Sequence, residues 1–82
     1  MWYVYLLELS NGDIYVGHTN DLRARLAQHQ NGLTQSTKAY LPAKLRSYIA
    51  VETEEIAIEL ERYLKTGSGK AIAKKRFLGH PV

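Results

Sequence analysis

Arg25 and His29 are the first residues whose types and spacing could do chemistry. They lie four positions apart in a segment with helical periodicity, so both fall on one line beside the apolar stripe. An arginine at the rim of a core, backed by a histidine one turn on, can be held firmly enough to bind a phosphate bidentately. The alternative is an arginine that snorkels past the core and a histidine that caps the helix C-terminus.

Glu61 is the second such residue, because it borders the buried face of another predicted helix. The helical repeat assigns to that face Ile56, Ala57, Leu60, Tyr63 and Leu64. Glu61 lies beside the line from Ala57 to Leu64, whereas Glu55 and Glu59 fall on the solvated side. A carboxylate at the border of the interior needs a partner, which is either a bound cation or a nearby arginine or lysine.

Tyrosines on two predicted strands, residues 2–9 and 13–18, form the third feature. The Asn11-Gly12 pair between the strands favours a hairpin, because both residues tolerate positive φ. A three-residue loop with Gly12 in the left-handed region pairs Leu7 with Tyr15 and places Tyr5 and Tyr15 on one sheet face. The alternative is that the tyrosines simply fill a half-wet sheet face.

The remaining elements follow from caps and breakers. Thr19-Asn20-Asp21 precedes a helix over residues 22–30, whose core line is predicted to include Leu22, Leu26 and Leu33. Residues 33–42 are predicted as a polar loop, Lys44 to Val51 as a strand, and a second helix is capped by Thr53 and reaches about Lys65. Residues 66–69 break that helix, and a short basic helix covers 70–77. The order ββαβαα predicts an α+β domain with a small sheet, antiparallel at its first pair and flanked by helices.

Length, composition and charge limit the class of protein. A chain of 82 residues is long enough for one domain, over residues 1–82, and it has no cysteine and no apolar run that could span a bilayer. Its start is predicted to be a strand rather than a signal peptide, and we expect a cytoplasmic protein. The net charge is +3, and the acidic residues of 52–61 lie between two segments that contain only basic charges.

This charge layout suits a protein that cuts phosphodiesters, since basic groups hold the backbone and a carboxylate holds a metal. The alternative is that the acidic residues favour a helix N-terminus and the lysines form a solvated surface. The residues predicted to contact nucleic acid are Arg23, Lys38, Lys44, Arg46, Lys65, Lys70, Lys74, Lys75 and Arg76.

These features together resemble the GIY-YIG nuclease domain family. The resemblance rests on five ordered elements and covers residues 2–76: Tyr3-Val4-Tyr5, Tyr15-Val16-Gly17, Thr19 with Asp21-Leu22, Arg25-x-x-x-His29-x-x-Gly32, and Ala57-x-x-x-Glu61-x-x-x-Lys65. The sequence is most similar to small single-domain members that are like the N-terminal nuclease domain of excinuclease ABC.

The resemblance implies a three-stranded antiparallel sheet flanked by helices and a divalent-metal-dependent DNA endonuclease active in repair or recombination. By position, Tyr15 matches the tyrosine that deprotonates or positions the attacking water, and Tyr5 matches the tyrosine of the first signature. Arg25 matches the arginine that steadies the scissile phosphate, Glu61 the single metal-binding glutamate, and His29 a histidine of many members. One weakly held Mg²⁺ or Mn²⁺ is implied, because a single carboxylate leaves most ligand positions to water.

We expect Tyr5, Tyr15, Arg25, His29 and Glu61 to line one concave surface. Two departures from the family pattern bear on activity. Tyr3 replaces the name-giving glycine, which is a frequent variant, and Ala73 stands where many members have an asparagine, so Ser68 or Lys70 would have to substitute. The alternative function is a non-catalytic nucleic-acid-binding module. The expected partner is DNA, with RNA as a further possibility and a protein partner as a source of specificity.

Overall fold

Two strands joined by a tight turn begin the chain, and a third strand completes the sheet. The computed structural model describes residues 1–79. Its elements are β1 (Trp2–Glu8), β2 (Ile14–Thr19), α1 (Leu22–Gln30), β3 (Lys44–Val51), α2 (Glu54–Leu64) and α3 (Gly67–Arg76), with a 3-10 turn over Lys38–Tyr40. The sheet is antiparallel with order β2-β1-β3, which confirms the predicted ββαβαα fold. The predicted domain extends over residues 80–82, which lie outside the described residues.

The β1–β2 hairpin has the predicted register. Leu7 pairs with Tyr15, and the turn is closed by hydrogen bonds from the Gly12 amide to the Leu9 carbonyl (2.9 Å) and from the Leu9 amide to the Asp13 carbonyl (2.9 Å). Gly12 has φ +89°, a conformation that side chains with a Cβ adopt only under strain. The register places Tyr5 and Tyr15 on one face of the sheet, as predicted.

The central strand β1 is buried on both faces, so the domain has two cores. Val4 and Leu6 point to the face covered by α2 and α3, where they pack with Val16, Ala57, Leu64 and Ala73. Tyr5 and Leu7 point to the opposite face, where they pack with Leu22 and Leu26 of α1. We call these surfaces the α2 face and the α1 face of the sheet.

Helix α1 begins where its cap predicts, since the Asp21 carboxylate accepts a hydrogen bond from the Ala24 amide (3.1 Å). Leu22 and Leu26 pack on the sheet as predicted. The prediction for Leu33 is wrong, because its side chain is 73% exposed. The helix ends at Gln30, and the turn that follows removes Leu33 from the line on which the helical repeat placed it.

Helices α2 and α3 cross at close range on the α2 face. Helix α3 begins at Gly67, three residues earlier than predicted, because the Thr66 side chain caps it by accepting a hydrogen bond from the Gly69 amide (3.0 Å). A Cβ at Gly69 would lie 2.7 Å from the Leu64 Cα and closer still to the Tyr63 carbonyl. Only a glycine therefore allows this crossing.

The predicted buried face of α2 is wrong at two positions. Ile56 is 46% exposed and Tyr63 is 43% exposed, whereas Ala57 and Leu64 are buried and Leu60 is half-buried. Helix α2 therefore meets the sheet along the narrower line from Ala57 through Leu60 to Leu64. Within residues 1–79, none of the helices is long and apolar enough to cross a membrane.

Candidate active site

The two signature tyrosines lie over the edge strand β2, and Gly17 makes this possible. Their ring centroids are 6.3 Å apart on the α1 face. A Cβ at Gly17 would lie 2.6 Å from the Tyr5 Cζ, 3.1 Å from the Tyr15 Cε1 and closest to the Tyr5 hydroxyl. The Tyr5 ring therefore occupies the space that a side chain at Gly17 would need, and its hydroxyl is brought to the edge strand.

A chain of buried hydrogen bonds connects Arg25 to the loop after α1. Arg25 Nε donates to the Tyr5 hydroxyl (3.4 Å), and the hydroxyl lies 2.9 Å from His29 Nε2. His29 Nδ1 lies 2.8 Å from the Thr37 hydroxyl. Tyr5, His29 and Thr37 have at most 1% of their surface exposed. Because the buried Tyr5 O–H needs an acceptor, the consistent assignment has Tyr5 donating to Nε2 and Nδ1–H donating to Thr37.

Both titratable groups in this chain are held in their neutral forms. Burial lowers the pKa of His29, and the nearby positive charge of Arg25 lowers it further. Burial also raises the pKa of Tyr5 against the opposing effect of its hydrogen bond from Arg25. Tyr5 is therefore a protonated hydrogen-bonding group that orients Arg25, rather than a base.

Arg25 is held at two points, which leaves part of its guanidinium available. Its Nε donates to Tyr5, and its Nη1 donates to the Gln28 side chain (2.8 Å). The side chain is half-buried, so the group lies at the rim of the α1-face core as the helical repeat predicts. A guanidinium has five N–H donors, and the donors not engaged here can bind an anion.

The structure does not bring Glu61 onto the same face as these residues. Glu61 lies on α2, and its carboxylate contacts His18 Nδ1 (2.6 Å) and Lys65 Nζ (2.7 Å) on the α2 face of the sheet. The expectation of one concave surface is therefore wrong for Glu61. Burial acts to raise the pKa of Glu61, but the hydrogen bonds and charges of Lys65 and His18 outweigh burial and lower it, so the carboxylate is ionised.

The two halves of the site nevertheless meet at the edge strand β2. Gly17, under the Tyr5 ring, and His18, against Glu61, are consecutive residues whose positions alternate between the two faces. The Tyr5 hydroxyl is influenced by charges from both sides, since Arg25 lowers its pKa and Glu61 raises it. The candidate site therefore straddles β2 instead of filling a hollow on one face.

His18 and Thr37 are site residues that sequence reasoning missed. His18 had a detectable signal, because strand alternation places it opposite to Tyr15 and Gly17, on the side that the acidic helix covers. Thr37 had none, since it lies in a polar loop and is buried only because that loop folds over His29.

A groove lined by three lysines leads to the site. Lys65, Lys70 and Lys74 lie with Tyr15 and the hairpin turn along a groove of about 570 Å³ between β2 and α3. The other predicted nucleic-acid contacts are not part of it. Arg46 donates to Glu8 (2.6 Å) and to the Leu78 carbonyl (2.8 Å), and Arg23 lines a separate hollow beside Tyr48. The four that remain are exposed elsewhere: Lys38, Lys44, Lys75 and Arg76.

Ala73 belongs to the hydrophobic core as well as to the wall of this groove. It is 4% exposed and packs with Val16 and Leu64. Ser68 and Lys70, the two residues considered as replacements for the family asparagine, are exposed, and only Lys70 lines the groove.

The residues around Glu61 fit a divalent cation that keeps most of its waters. No group of three or more His, Asp or Glu side chains suited to a metal exists within residues 1–79. The local donor set is one ionised carboxylate, 19% exposed, in contact with one imidazole nitrogen. A hard cation bound here would take at most two protein ligands, which agrees with the weak binding expected from the sequence.

The fold and the arrangement of signature residues define the class of protein. The chain belongs to the GIY-YIG family, because the model of the GIY-YIG catalytic domain matches residues 1–76. Members of this family are typically endonucleases that act on DNA.

Particular relatives are small bacterial proteins. A UPF0213 protein of Streptococcus pneumoniae serotype 4 is 41% identical over 64 residues, which are 77% of this chain and 65%, just under two thirds, of that protein. A UPF0213 protein of Bacillus licheniformis is 35% identical over 77 residues, 93% of this chain and 77% of that one. The solution NMR structure of a UPF0213 protein from Bacillus halodurans matches with a TM-score of 0.54 at 31% identity, over 87% of this chain and 80% of that chain.

Proposed function

We propose that this protein is a divalent-metal-dependent DNA endonuclease that hydrolyses a phosphodiester bond. The observation that carries the proposal is the meeting of an oriented arginine and an ionised glutamate on either side of Gly17 in the edge strand β2. An edge strand is accessible from both faces, so a phosphate at β2 could contact both groups. A role in repair or recombination and a cytoplasmic location are parts of the same proposal.

Arg25 binds the scissile phosphate in this proposal. Tyr5 and Gln28 hold the guanidinium before substrate arrives, so little side-chain freedom is lost on binding. Its positive charge also offsets the negative charge that grows on the phosphate oxygens in the transition state. The neutral His29 contributes indirectly, because it keeps the Tyr5 hydroxyl in place.

Tyr15 positions or deprotonates the attacking water. Its ring packs edge-on against His29, with centroids 5.2 Å apart, while the residue stays half-exposed and borders the lysine groove. Tyr5 is excluded from this role by its burial and raised pKa. Tyr15 is therefore the tyrosine that can reach a water bound beside a backbone phosphate.

Glu61 would hold Mg²⁺ or Mn²⁺, with Lys65 fixing one carboxylate oxygen. The bound ion supplies charge neutralisation at the phosphate and a lowered pKa for its waters. The lysine groove would carry the neighbouring phosphates of the same strand, since Lys65 belongs both to the groove and to the Glu61 ion pair.

The decisive experiment compares Glu61→Gln with Glu59→Gln, an exposed glutamate of the same helix. Labelled duplex, single-stranded, flap and branched DNA, and single-stranded RNA, are incubated with Mg²⁺, with Mn²⁺ and with a chelator. We expect Glu61→Gln to lower cleavage roughly 100-fold or more with DNA affinity unchanged or slightly raised, because several kcal/mol of transition-state stabilisation are lost. Glu59→Gln should cleave as wild type does.

The second candidate function is a non-catalytic nucleic-acid-binding module. It is favoured by Ala73, which fills the core where many relatives carry an asparagine, and by Lys65, which already neutralises Glu61. If no DNA or RNA is cut with either metal, or if Glu61→Gln cuts as well as wild type, the nuclease proposal fails and the binding module replaces it.

A further inference from the structure

His18 is a polar residue that the proposed reaction does not use. Its Nδ1 lies 2.6 Å from Glu61 Oε1, and its Nε2 lies 3.8 Å from Glu54 Oε2 on the first turn of α2. The Trp2 ring stands beside it, with centroids 6.0 Å apart. The side chain is 27% exposed, so solvent reaches the imidazole although three neighbours hold it in place.

The position of His18 corresponds to an arrangement found at protein metal sites. A histidine that binds a metal through one nitrogen commonly donates its other N–H to a carboxylate, which fixes the ring orientation and raises its basicity. Here Nδ1 faces the carboxylate of Glu61, and Nε2 faces Glu54. Lys65 holds the second oxygen of Glu61, so Oε1 is the oxygen that remains beside the imidazole.

We propose that His18 Nδ1 and Glu61 Oε1 together ligate one divalent transition-metal ion, with Glu54 orienting the imidazole from the far side. This inference rests on the proposed function only in taking Glu61 as the metal-binding residue. Metal bonds of about 2.0–2.2 Å to nitrogen and oxygen place two ligand atoms about 3 Å apart at a right angle. The two atoms are already 2.6 Å apart, so a small outward shift is enough to admit the ion.

The chemical consequence is metal selectivity. Mg²⁺ prefers oxygen ligands, whereas Mn²⁺, Co²⁺ and Zn²⁺ also accept imidazole nitrogen and bind nitrogen-containing sites more tightly in the usual order of divalent metals. A site of one imidazole and one carboxylate therefore favours Mn²⁺ and Co²⁺ over Mg²⁺. A site formed by Glu61 alone would not make that distinction.

The test measures metal binding by the full chain without DNA. Mn²⁺ and Mg²⁺ are titrated calorimetrically into wild type, His18→Gln and Glu54→Gln, and pulsed EPR of bound Mn²⁺ detects coupling to a nitrogen nucleus. We expect nitrogen coupling in wild type and its loss in His18→Gln. That variant should bind Mn²⁺ at least about tenfold more weakly, and Mg²⁺ within about threefold of wild type. Glu54→Gln should keep the coupling and lose part of the Mn²⁺ affinity.

The inference is overturned if Mn²⁺ does not bind, if it binds without nitrogen coupling, or if His18→Gln keeps the coupling or the wild-type affinity. Circular dichroism establishes that the variants are folded. The two proposals fail separately. Nitrogen-coordinated Mn²⁺ in a protein that cuts no nucleic acid supports this inference and removes the nuclease. Metal-dependent cleavage without a nitrogen ligand supports the nuclease and removes His18 from the metal site.

Discussion

Tyr5 and Tyr15 are neighbours in space, but their hydroxyl groups have different surroundings. The hydroxyl of Tyr5 is enclosed by Arg25 and His29, and the residue is 1% exposed. Tyr15 shares the ring packing but is half-exposed beside the lysine groove. The same side-chain type therefore has a structural and orienting role at one position and a catalytic role, in our proposal, at the other.

Removing each hydroxyl separates these roles. We predict that Tyr15→Phe lowers turnover with little change in stability or DNA affinity, because only a half-exposed hydroxyl is lost. Tyr5→Phe should lower the free energy of unfolding by about 1–3 kcal/mol, since His29 Nε2 loses its buried partner. Urea unfolding and single-turnover cleavage measure the two quantities. Equal loss of stability in both variants would contradict the distinction.

The buried His29 makes stability depend on pH. Its folded pKa is lowered from an ordinary value of 6.5, so the unfolded chain binds more protons between the folded value and 6.5. The contribution of His29 is fully present above that value and is lost as the pH falls below it. Glu61 adds a similar loss only below 4.5, because its pKa is also lowered on folding.

We therefore predict that the free energy of unfolding of the wild type decreases between about pH 7.5 and about pH 5.5. The decrease should be clearly smaller in His29→Gln, which has no group that titrates at this position, while His18 is common to both proteins. Urea denaturation at each pH gives the comparison. An unchanged pH dependence in His29→Gln would show that the loss arises elsewhere.

Helices α2 and α3 are held together by backbone contact more than by large side chains. Gly69 in the first turn of α3 lies against the α2 backbone at Tyr63 and Leu64, whereas Gly67, two residues earlier, has no atom near its missing Cβ. The two glycines therefore provide a matched pair within one helix.

We predict opposite effects on stability from the same substitution at these two positions. Gly69→Ala should lower the free energy of unfolding by at least about 2 kcal/mol, because its methyl group overlaps the α2 backbone and the helices must separate. Gly67→Ala should be neutral or stabilise by up to about 1 kcal/mol through the helix preference of alanine. Thermal and urea unfolding test both. A tolerated Gly69→Ala would mean that the crossing can open without cost.

The distribution of charge gives the molecule one face suited to a nucleic-acid strand. Lys65, Lys70 and Lys74 line a groove that ends at Tyr15, and the acidic residues Glu54 and Glu61 lie beyond it at His18. Attraction along the groove and a negatively charged metal site at its end are thus separated in space, although the net charge is only +3.

Lys74 and Lys75 test whether the groove carries the strand. Both are exposed lysines of α3, but only Lys74 lines the groove. We predict that Lys74→Ala weakens DNA binding and reduces the slope of log affinity against log salt by about 0.9, the effect of one lost phosphate contact. Lys75→Ala should change the slope by less than half as much. Fluorescence anisotropy over a KCl series measures both, and equal effects would place the strand elsewhere.

Local features of the chain were predictable from the sequence alone. The hairpin register follows from the alternation of side chains and from Gly12, and the start of α1 follows from Asp21. Each depends on residues that are close together along the chain. The family assignment was likewise predictable, because its motifs recur at compatible spacings over residues 1–76.

Tertiary structure alone decided where the site lies. The contact of Glu61 with His18 joins residues 43 positions apart, so it depends on which face of the sheet α2 covers and not on the periodicity of α2. The exposure of Leu33 and Ile56 and the burial of Thr37 depend in the same way on how turns and helices dock. Helical periodicity specifies which residues share a side of a helix, but the packing of three layers determines what that side meets, and this placed Arg25 and Glu61 on opposite faces of one strand.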